Sequence, residues 1–202
     1  IRAMSPAELA ERIDGSRLRY SARGAAPRHQ SLVAAIDWSY RLLSEPERAL
    51  FARLALFAGG FDLDAAHGVC ADPGTTEDDT LDLLIGLVDK SMVTACDGPG
   101  RSRYLVLETL RAYGRERLDE AGLADRFARR HAAHFTALAE RGALAVQGAD
   151  ERSWVDRVLP DFDNLRAAFE RALADRDADL ALRLVTSLPE LAHLRVGYES
   201  AS

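Results

Sequence analysis

The chain has 202 residues, 48% hydrophobic and 29% charged, so it is long and apolar enough to bury a core and is unlike a disordered segment. Its formal net charge of −6 argues against a general nucleic-acid binder, which usually carries a basic patch. It has no stretch near the roughly 18 apolar residues of a membrane span and no signal-peptide pattern, which predicts a cytoplasmic protein without membrane contact. Cys70 and Cys96 do not form a Cys-x-x-Cys pair, so we expect them to be free thiols.

The first residues predict a short helix and a linker. Ser5-Pro6-Ala7-Glu8 is typical of a capping box and predicts a helix over Pro6–Ile13. Ser16–Arg28 has little periodicity and contains a glycine and a proline, which indicates a linker. Because the chain begins without methionine and ends at Ser202 in an unfinished polar stretch, we expect it to be part of a larger protein.

Four helices are predicted next, with no strand between them. Apolar residues recur at helical spacing, and Ser44, Asp62 and Thr76 have side chains suited to N-caps. Gly59-Gly60 predicts the end of the second of these helices, because glycine accepts the left-handed conformation of a helix C-terminus. The predicted ranges are about Gln30–Leu43, Ser44–Phe57, Leu63–Ala71 and Glu77–Lys90.

A single β-hairpin follows these helices. Ser91–Ala95 and Arg103–Leu107 are short and partly β-branched, and the turn cluster Asp97-Gly98-Pro99-Gly100 lies between them. A helix returns at Glu108 or Thr109 and runs to Gly122. The order helix, helix, turn, helix, hairpin predicts a winged helix, in which Glu77–Lys90 takes the recognition-helix position and the hairpin is the wing.

The remainder of the chain is predicted to be helical, in the ranges Leu123–Arg141, Glu151–Leu159, Asp161–Ala174 and Ala178–Leu194. Helix pairs with short connections are typical of an α-solenoid such as the tetratricopeptide type. The predicted fold class is therefore mainly α: a winged helix with a two-stranded β-hairpin, followed by a tetratricopeptide-like helical segment.

Motifs for catalysis and metal binding are missing. Lys90-Ser91 resembles the end of a phosphate-binding P-loop, but the apolar helix before it cannot cradle phosphate. His131 and His134 share one helix face without a third ligand, so we expect two ordinary histidines and no metal site. We predict that the chain is not an enzyme and has no catalytic residue.

Several stretches together carry a resemblance to one family. They are Pro27–Leu32, Ala35–Tyr40, Leu42–Ser44, Glu47–Phe51, Phe57–Phe61, Leu87–Ser91 and Leu107–Tyr113. The combination resembles part of the bacterial STAND-type signalling ATPases, which include LuxR-family transcriptional regulators and are similar in their core to the NB-ARC switch. The resemblance covers nearly the whole chain.

The resemblance implies a division of the chain and a role within a larger protein. It assigns residues 1–29 to the end of a helical subdomain and a linker, residues 30–122 to a winged-helix module, and residues 123–202 to the start of a tetratricopeptide-like sensor. It also implies that the parent protein binds ATP or ADP with Mg²⁺ in an ATPase core outside this chain, while the chain itself binds no cofactor.

The family's winged helix often contacts ADP through a Met-His-Asp motif, and the matching positions are Leu107, Glu108 and Thr109. Glutamate in place of the histidine would repel phosphate. It could instead cap its own helix, pair with an arginine, or reach a metal or ribose, and the simplest alternative is a helix-start residue favoured by the helix dipole. The candidates for nucleotide sensing are Glu108, Arg111, Arg28 and His29.

Three functional hypotheses follow. The first is a switch that packs on the ATPase core of the same polypeptide, with DNA not expected as a partner because five acids on Glu77–Lys90 would face phosphates. The alternative is a DNA-binding winged helix that uses Arg101, Arg103 and Arg115. A third is a protein-interaction platform in the helical C-terminal part, where aromatic residues recur at Phe127, Phe135, Trp154, Phe162 and Phe169.

Overall fold

The computed structural model describes residues 27–98, 101–146 and 157–187. The chain divides into two compact units, Ile1–Asp37 and Trp38–Ser202. Helix α1 (Pro27–Arg41) begins in the first unit, and the other elements of the described part lie in the second. The predicted helix Pro6–Ile13 and most of the predicted linker lie outside the described residues, and the last two linker positions belong to α1.

The second unit follows the predicted order of elements. They are α2 (Glu45–Leu54), α3 (Leu63–Cys70), α4 (Glu77–Asp89), β1 (Thr94–Gly98), β2 (Arg101–Leu105), α5 (Glu108–Glu120), α6 (Ala124–Val146), a 3₁₀ turn (Leu159–Asp161), α7 (Phe162–Asp175) and α8 (residues 178–187). The fold class is confirmed as a mainly helical chain, in which a winged helix with a two-stranded sheet is followed by a helical segment. The likeness of that segment to tetratricopeptide repeats stays a prediction, as do the domain boundaries.

Local side chains begin the helices where the sequence predicts. The hydroxyl of Ser44 accepts from the amide of Glu47, whose carboxylate accepts from the Ser44 amide at 2.7 Å. The same reciprocal box joins Thr76 and Asp79, and the Asp62 carboxylate accepts from the amide of Ala65 at 2.9 Å. Each cap satisfies an amide that the first helical turn leaves unpaired, which is worth about 1 kcal/mol.

Helix α2 packs against α3, α4 and α5, and its apolar face forms the centre of the winged helix. Phe51 and Leu54 on α2 and Leu84 and Leu87 on α4 are fully buried. Burying side chains of this size contributes about 1.5–3 kcal/mol each. Leu118 on α5 extends the same core to Phe127 on α6.

An ion pair joins the start of α2 to the end of α4. Lys90, the only lysine of the chain, places its amine 2.5 Å from the buried carboxylate of Glu47. Burial raises the pKa of this carboxyl, but the hydrogen bonds from Lys90 and Ser44 outweigh it and hold the pKa below its usual range. Gly86 leaves room for the carboxylate, because a Cβ at that position would lie 2.5 Å from Glu47 Oε1.

The hairpin pairs a different part of the sequence from the predicted one. Its strands pair antiparallel from Thr94 with Leu105 to Gly98 with Arg101, whereas the prediction placed them at Ser91–Ala95 and Arg103–Leu107. The reason is that Met92 and Val93 donate to the Leu87 carbonyl and so complete the end of α4. Leu107, at the other end, serves as the N-cap of α5.

A third short segment borders the hairpin. The amide of Phe61 donates to the Tyr104 carbonyl at 2.9 Å, and the Tyr104 amide donates to the Phe61 carbonyl at 2.7 Å. The residues after α2, predicted only as a helix end, therefore pair with β2 and hold the wing against the helices.

Helices α6 and α7 form the body of the helical segment, and α6 packs on α3. Phe135 on α6, Leu165 on α7 and Leu184 on α8 are fully buried. The predicted break Asp175-Arg176-Asp177 is present, with Arg176 at a φ of 56° after α7. No helix within the described ranges is long and apolar enough to cross a membrane.

Candidate nucleic-acid interface

Helices α3 and α4 form the helix-turn-helix, with residues 71–76 between them. The two helices pack on each other and on α2, which fixes the angle at which α4 is presented. Buried Thr80 on α4 lies 2.9 Å from the His67 Nδ1 on α3. In a winged helix-turn-helix, the second of the two helices is the one that would enter the major groove.

The exposed face of α4 carries acids around one apolar residue. Asp78, Asp82 and Asp89 are exposed, and Ile85 between them is 49% exposed. Asp79 is exposed as well and is hydrogen bonded to Thr76, and these hydrogen bonds lower the pKa of its carboxyl. The face therefore offers hydrogen-bond acceptors and an apolar contact, and it attracts no phosphate.

The two arginines of strand β2 lie in different environments. Arg101 has a 53% exposed side chain, and its guanidinium approaches the Asp62 carboxylate only at 3.4 Å. Arg103 is 13% exposed in its side chain and donates within the protein, to the Asp161 carboxylate at 2.7 Å and to the Gly60 carbonyl at 2.7 Å. Of the two, Arg101 is thus the more exposed and the more weakly paired, and the better placed to meet a phosphate.

Asn164 on α7 extends the contacts of Arg103. Its amide oxygen accepts from the backbone N–H groups of Ala58 at 2.9 Å and Gly59 at 3.4 Å. Its amide nitrogen donates to the Gly60 carbonyl at 2.9 Å and to the Asp161 carboxylate at 3.1 Å. Burial raises the pKa of the Asp161 carboxyl, although Arg103 and Asn164 act in the opposite direction.

Arginines also hold both ends of α3. Arg130 on α6 donates to the Ala71 carbonyl at 2.7 Å and to the Gly68 carbonyl at 3.1 Å, where the helix ends. Arg157 contacts the Asp64 carboxylate in the first turn at 3.0 Å. Both arginines lie after the winged helix in sequence, so the helical segment supports the helix-turn-helix directly.

The remaining predicted site residues do not converge on one place. Glu108 is exposed and pairs with Arg111, whose guanidinium also donates to the carbonyls of Phe57 and Ala58. Arg115 donates through Nε to the Ala55 carbonyl at 2.9 Å. Arg28 and His29 lie in the first turn of α1, and their side chains are outside the described part. The sensing and DNA-contact roles predicted for these residues stay predictions.

His131 and His134, which the sequence predicts as ordinary histidines without a metal, both lie on α6. His131 is buried and His134 is half-buried. His131 approaches Asn164 Oδ1 at 3.4 Å and packs against Phe57 and Phe135, and burial lowers its pKa to about 4. Burial also lowers the pKa of His134. Within the described residues, no group of three His, Cys, Asp or Glu side chains is placed to hold a metal ion.

Sequence reasoning missed Asp161 and Asn164, which connect the wing to α7. Asp161 appears in the sequence only as a residue at a helix start, and Asn164 has no motif around it. The backbone partners of Asn164 at residues 58–60 are more than 100 residues away along the chain, so no local pattern could have indicated them.

Comparison with known proteins supports the helix-turn-helix assignment. Residues 43–119, which run from α2 to α5, match the family described as "Winged helix-turn-helix domain". A candidate HTH-type transcriptional regulator of Mycobacterium tuberculosis is 44% identical over 203 aligned residues, and so is one of Mycobacterium bovis. The alignment covers 98% of this chain but only 23% of each regulator.

A second relative is shorter. An uncharacterized protein of Mycobacterium tuberculosis is 46% identical over 134 residues, which is 65% of this chain and 34% of that protein. No solved structure matches this chain significantly. The chain therefore contains a winged helix-turn-helix domain and is homologous to proteins named as transcriptional regulators.

These comparisons correct one expectation from the sequence. The expectation that DNA is not a partner is wrong, because a winged helix-turn-helix domain and regulator relatives point to DNA binding. The expectation rested on the acids of α4, which the structure does leave exposed, and it took no account of Arg101, whose side chain is 53% exposed on the wing.

Proposed function

We propose that residues 43–119 are the DNA-binding module of a transcriptional regulator, with α4 and the wing facing the duplex. The observation that carries this proposal is the family match, whose limits coincide with the packed unit of α2 to α5. A DNA-binding role would place the chain in the cytoplasm.

The charges of the surface determine how the module would bind. Carboxylates such as Asp78 and Asp82 suit the amino group of cytosine, which is a hydrogen-bond donor in the major groove. Ile85 suits the methyl group of thymine. Arg101 would supply a phosphate contact from the wing. With few cations the counterion term is small, so we expect a slope of log K against log salt of about −1 to −2.

Selection from a random duplex library tests this proposal. The chain would be used to enrich 30-base-pair duplexes, and binding would then be measured by fluorescence anisotropy between about 50 and 200 mM NaCl. Arg101→Gln is expected to weaken binding and to reduce the salt slope by about 1. Arg166→Gln, the same change at an exposed residue on α7, serves as the control and should leave both quantities unchanged. Failure to enrich any sequence, or equal effects of both variants, would contradict the proposal.

We infer further that the longer protein controls this module through a bound nucleotide, as its resemblance to STAND-type ATPases implies. Glu108 supports this inference, since it is exposed at the start of α5 and occupies the position matching the histidine of the family's nucleotide contact; its partner Arg111 is largely buried. In this proposal the ATPase core of the same polypeptide binds ATP or ADP with Mg²⁺, and the tetratricopeptide-like segment senses the signal.

The nucleotide proposal is tested on the full-length protein. Glu108→Gln is expected to change the dissociation rate of a fluorescent ADP analogue, because it removes a negative charge near phosphate. Glu116→Gln is the same change on α5 at another partly exposed position and should not alter the rate. If neither the parent protein nor its variants bind the analogue, the nucleotide proposal fails while the DNA proposal stands.

A further inference from the structure

A cluster of polar side chains joins the wing to the helical segment. We call it the wing latch and define it as Arg103 on β2, Asp161 in the 3₁₀ turn and Asn164 on α7. Asp161 is 3% exposed and Asn164 is fully buried. The contacts to DNA proposed above do not use any of the three side chains.

The wing latch is hydrogen bonded to both backbone segments that fix the position of the wing. Arg103 donates to Asp161 and to the carbonyls of Gly60 and Pro160, and it precedes Tyr104 in β2. Asn164 holds the backbone of residues 58–60, which lead to Phe61. Because Phe61 and Tyr104 pair with each other, both segments that fix the wing are bonded to α7 or to the turn before it.

The winged helix and the helical segment are also held together by contacts outside the latch. Phe127 on α6 already packs into the apolar core at Ala52 and Leu118, and the arginine contacts at α3 add to this joint. A buried ion pair contributes little net stability compared with apolar packing of the same volume, but it demands one geometry. The latch therefore adds a defined position for the wing more than it adds strength.

We propose that the wing latch makes the position of the wing depend on α7, so that a movement of the helical segment changes the affinity of the module for DNA. The effect on DNA affinity rests on the proposed function, whereas the dependence of the wing position on α7 does not. Buried hydrogen-bond networks have discrete arrangements, so a small shift of α7 would break the contacts of Arg103 instead of stretching them.

Hydrogen exchange of the 202-residue chain tests the first step. Arg103→Lys keeps the charge but loses the planar fork that reaches several acceptors at once. We expect exchange at the Phe61 and Tyr104 amides to become at least about tenfold faster, with the α2 amides unchanged. Arg183→Lys, which disturbs an exposed two-bond contact with Glu140, is the matched control and should leave the wing amides as they are.

An unchanged rate at the wing amides, or an equal increase throughout α2, would overturn the latch. If Arg103→Lys does not fold, Asp161→Asn gives the same test, because it keeps the shape of the side chain and removes its charge. DNA affinity, measured on the selected duplex, should fall by about threefold or more in the latch variant and stay constant in the control.

Faster wing exchange with unchanged DNA affinity would overturn the transmission step. If the unaltered chain binds no duplex, the proposed function fails, while the exchange rates still decide whether the latch holds the wing.

Discussion

Replacing Asn164 tests how much the chain depends on one buried amide. Asn164→Leu removes the acceptor for the backbone N–H groups of Ala58 and Gly59 and leaves both without this partner. The Gly60 carbonyl keeps its hydrogen bond from Arg103. An amide left unpaired in a partly buried position costs about 1–3 kcal/mol, so two of them are expected to lower the free energy of unfolding by roughly 2–6 kcal/mol.

Asn164→Asp keeps the hydrogen-bond acceptor of Asn164 and adds a charge, so it tests the effect of the charge alone. It keeps an oxygen for the two amides but places a carboxylate beside Asp161, where Asn164 now donates at 3.1 Å. The repulsion and the burial raise the folded pKa of the new carboxyl above its unfolded value of about 3.9. The folded variant then binds more protons than the unfolded one, so its stability relative to the wild-type chain falls as pH rises through that folded pKa.

Urea unfolding followed by circular dichroism between pH 5 and pH 8 measures both effects. Glu170→Leu, an exposed position on the same helix, controls for the added leucine and should change stability by no more than about 0.5 kcal/mol. A loss below about 1 kcal/mol for Asn164→Leu, or a pH-independent difference for Asn164→Asp, would refute this account of the amide.

Three further predictions concern other parts of the chain. Gly114→Ala should lower the unfolding free energy by about 1–3 kcal/mol, because its Cβ would lie 2.8 Å from the Cβ of Ala55, which caps the end of α2. Gly86→Ala should cost less, because the atom it would meet is the end of the Glu47 side chain, and urea unfolding compares the two variants. Neutral, buried His131 has a folded pKa of about 4 against 6.5 unfolded, so stability should be full above pH 6.5 and fall towards pH 4; His131→Gln should flatten this dependence in urea unfolding between those values. A thiol reagent should modify exposed Cys96 in the folded chain and Cys70 only after unfolding, because burial raises the pKa of the Cys70 thiol to about 12; rapid native labelling of two thiols would contradict this.

The features that the sequence predicts well are local. Ser44 and Thr76 begin their helices as expected because the partners in a capping box lie only three residues away. The hairpin was predicted in the right place but with shifted strands, since Met92 and Val93 bond back to α4 and not across the turn. Strand limits depend on such competition between neighbouring elements, which a pattern of β-branched residues does not record.

The site was harder to predict because it depends on distant parts of the chain. Arg101 and Arg103 are two residues apart on the same strand, and the sequence gives them equal standing as DNA contacts. The structure separates them, because Asp161 lies 58 residues further along the chain and pairs with only one of them. The charge of α4 led to the wrong expectation about DNA for a different reason: its acids are exposed as counted, and the family match and the regulator relatives overturn the expectation.

Lys90 is a site at which the chain can be modified selectively. No other residue has a side-chain amine, so an acylating reagent has one lysine target, and that amine is in contact with Glu47. Acetylation there would cancel the positive charge and leave a buried carboxylate facing the end of α4 without its counterion. The extent of acylation would therefore report how firmly the C-terminal end of the recognition helix is anchored, and a single modification would loosen it.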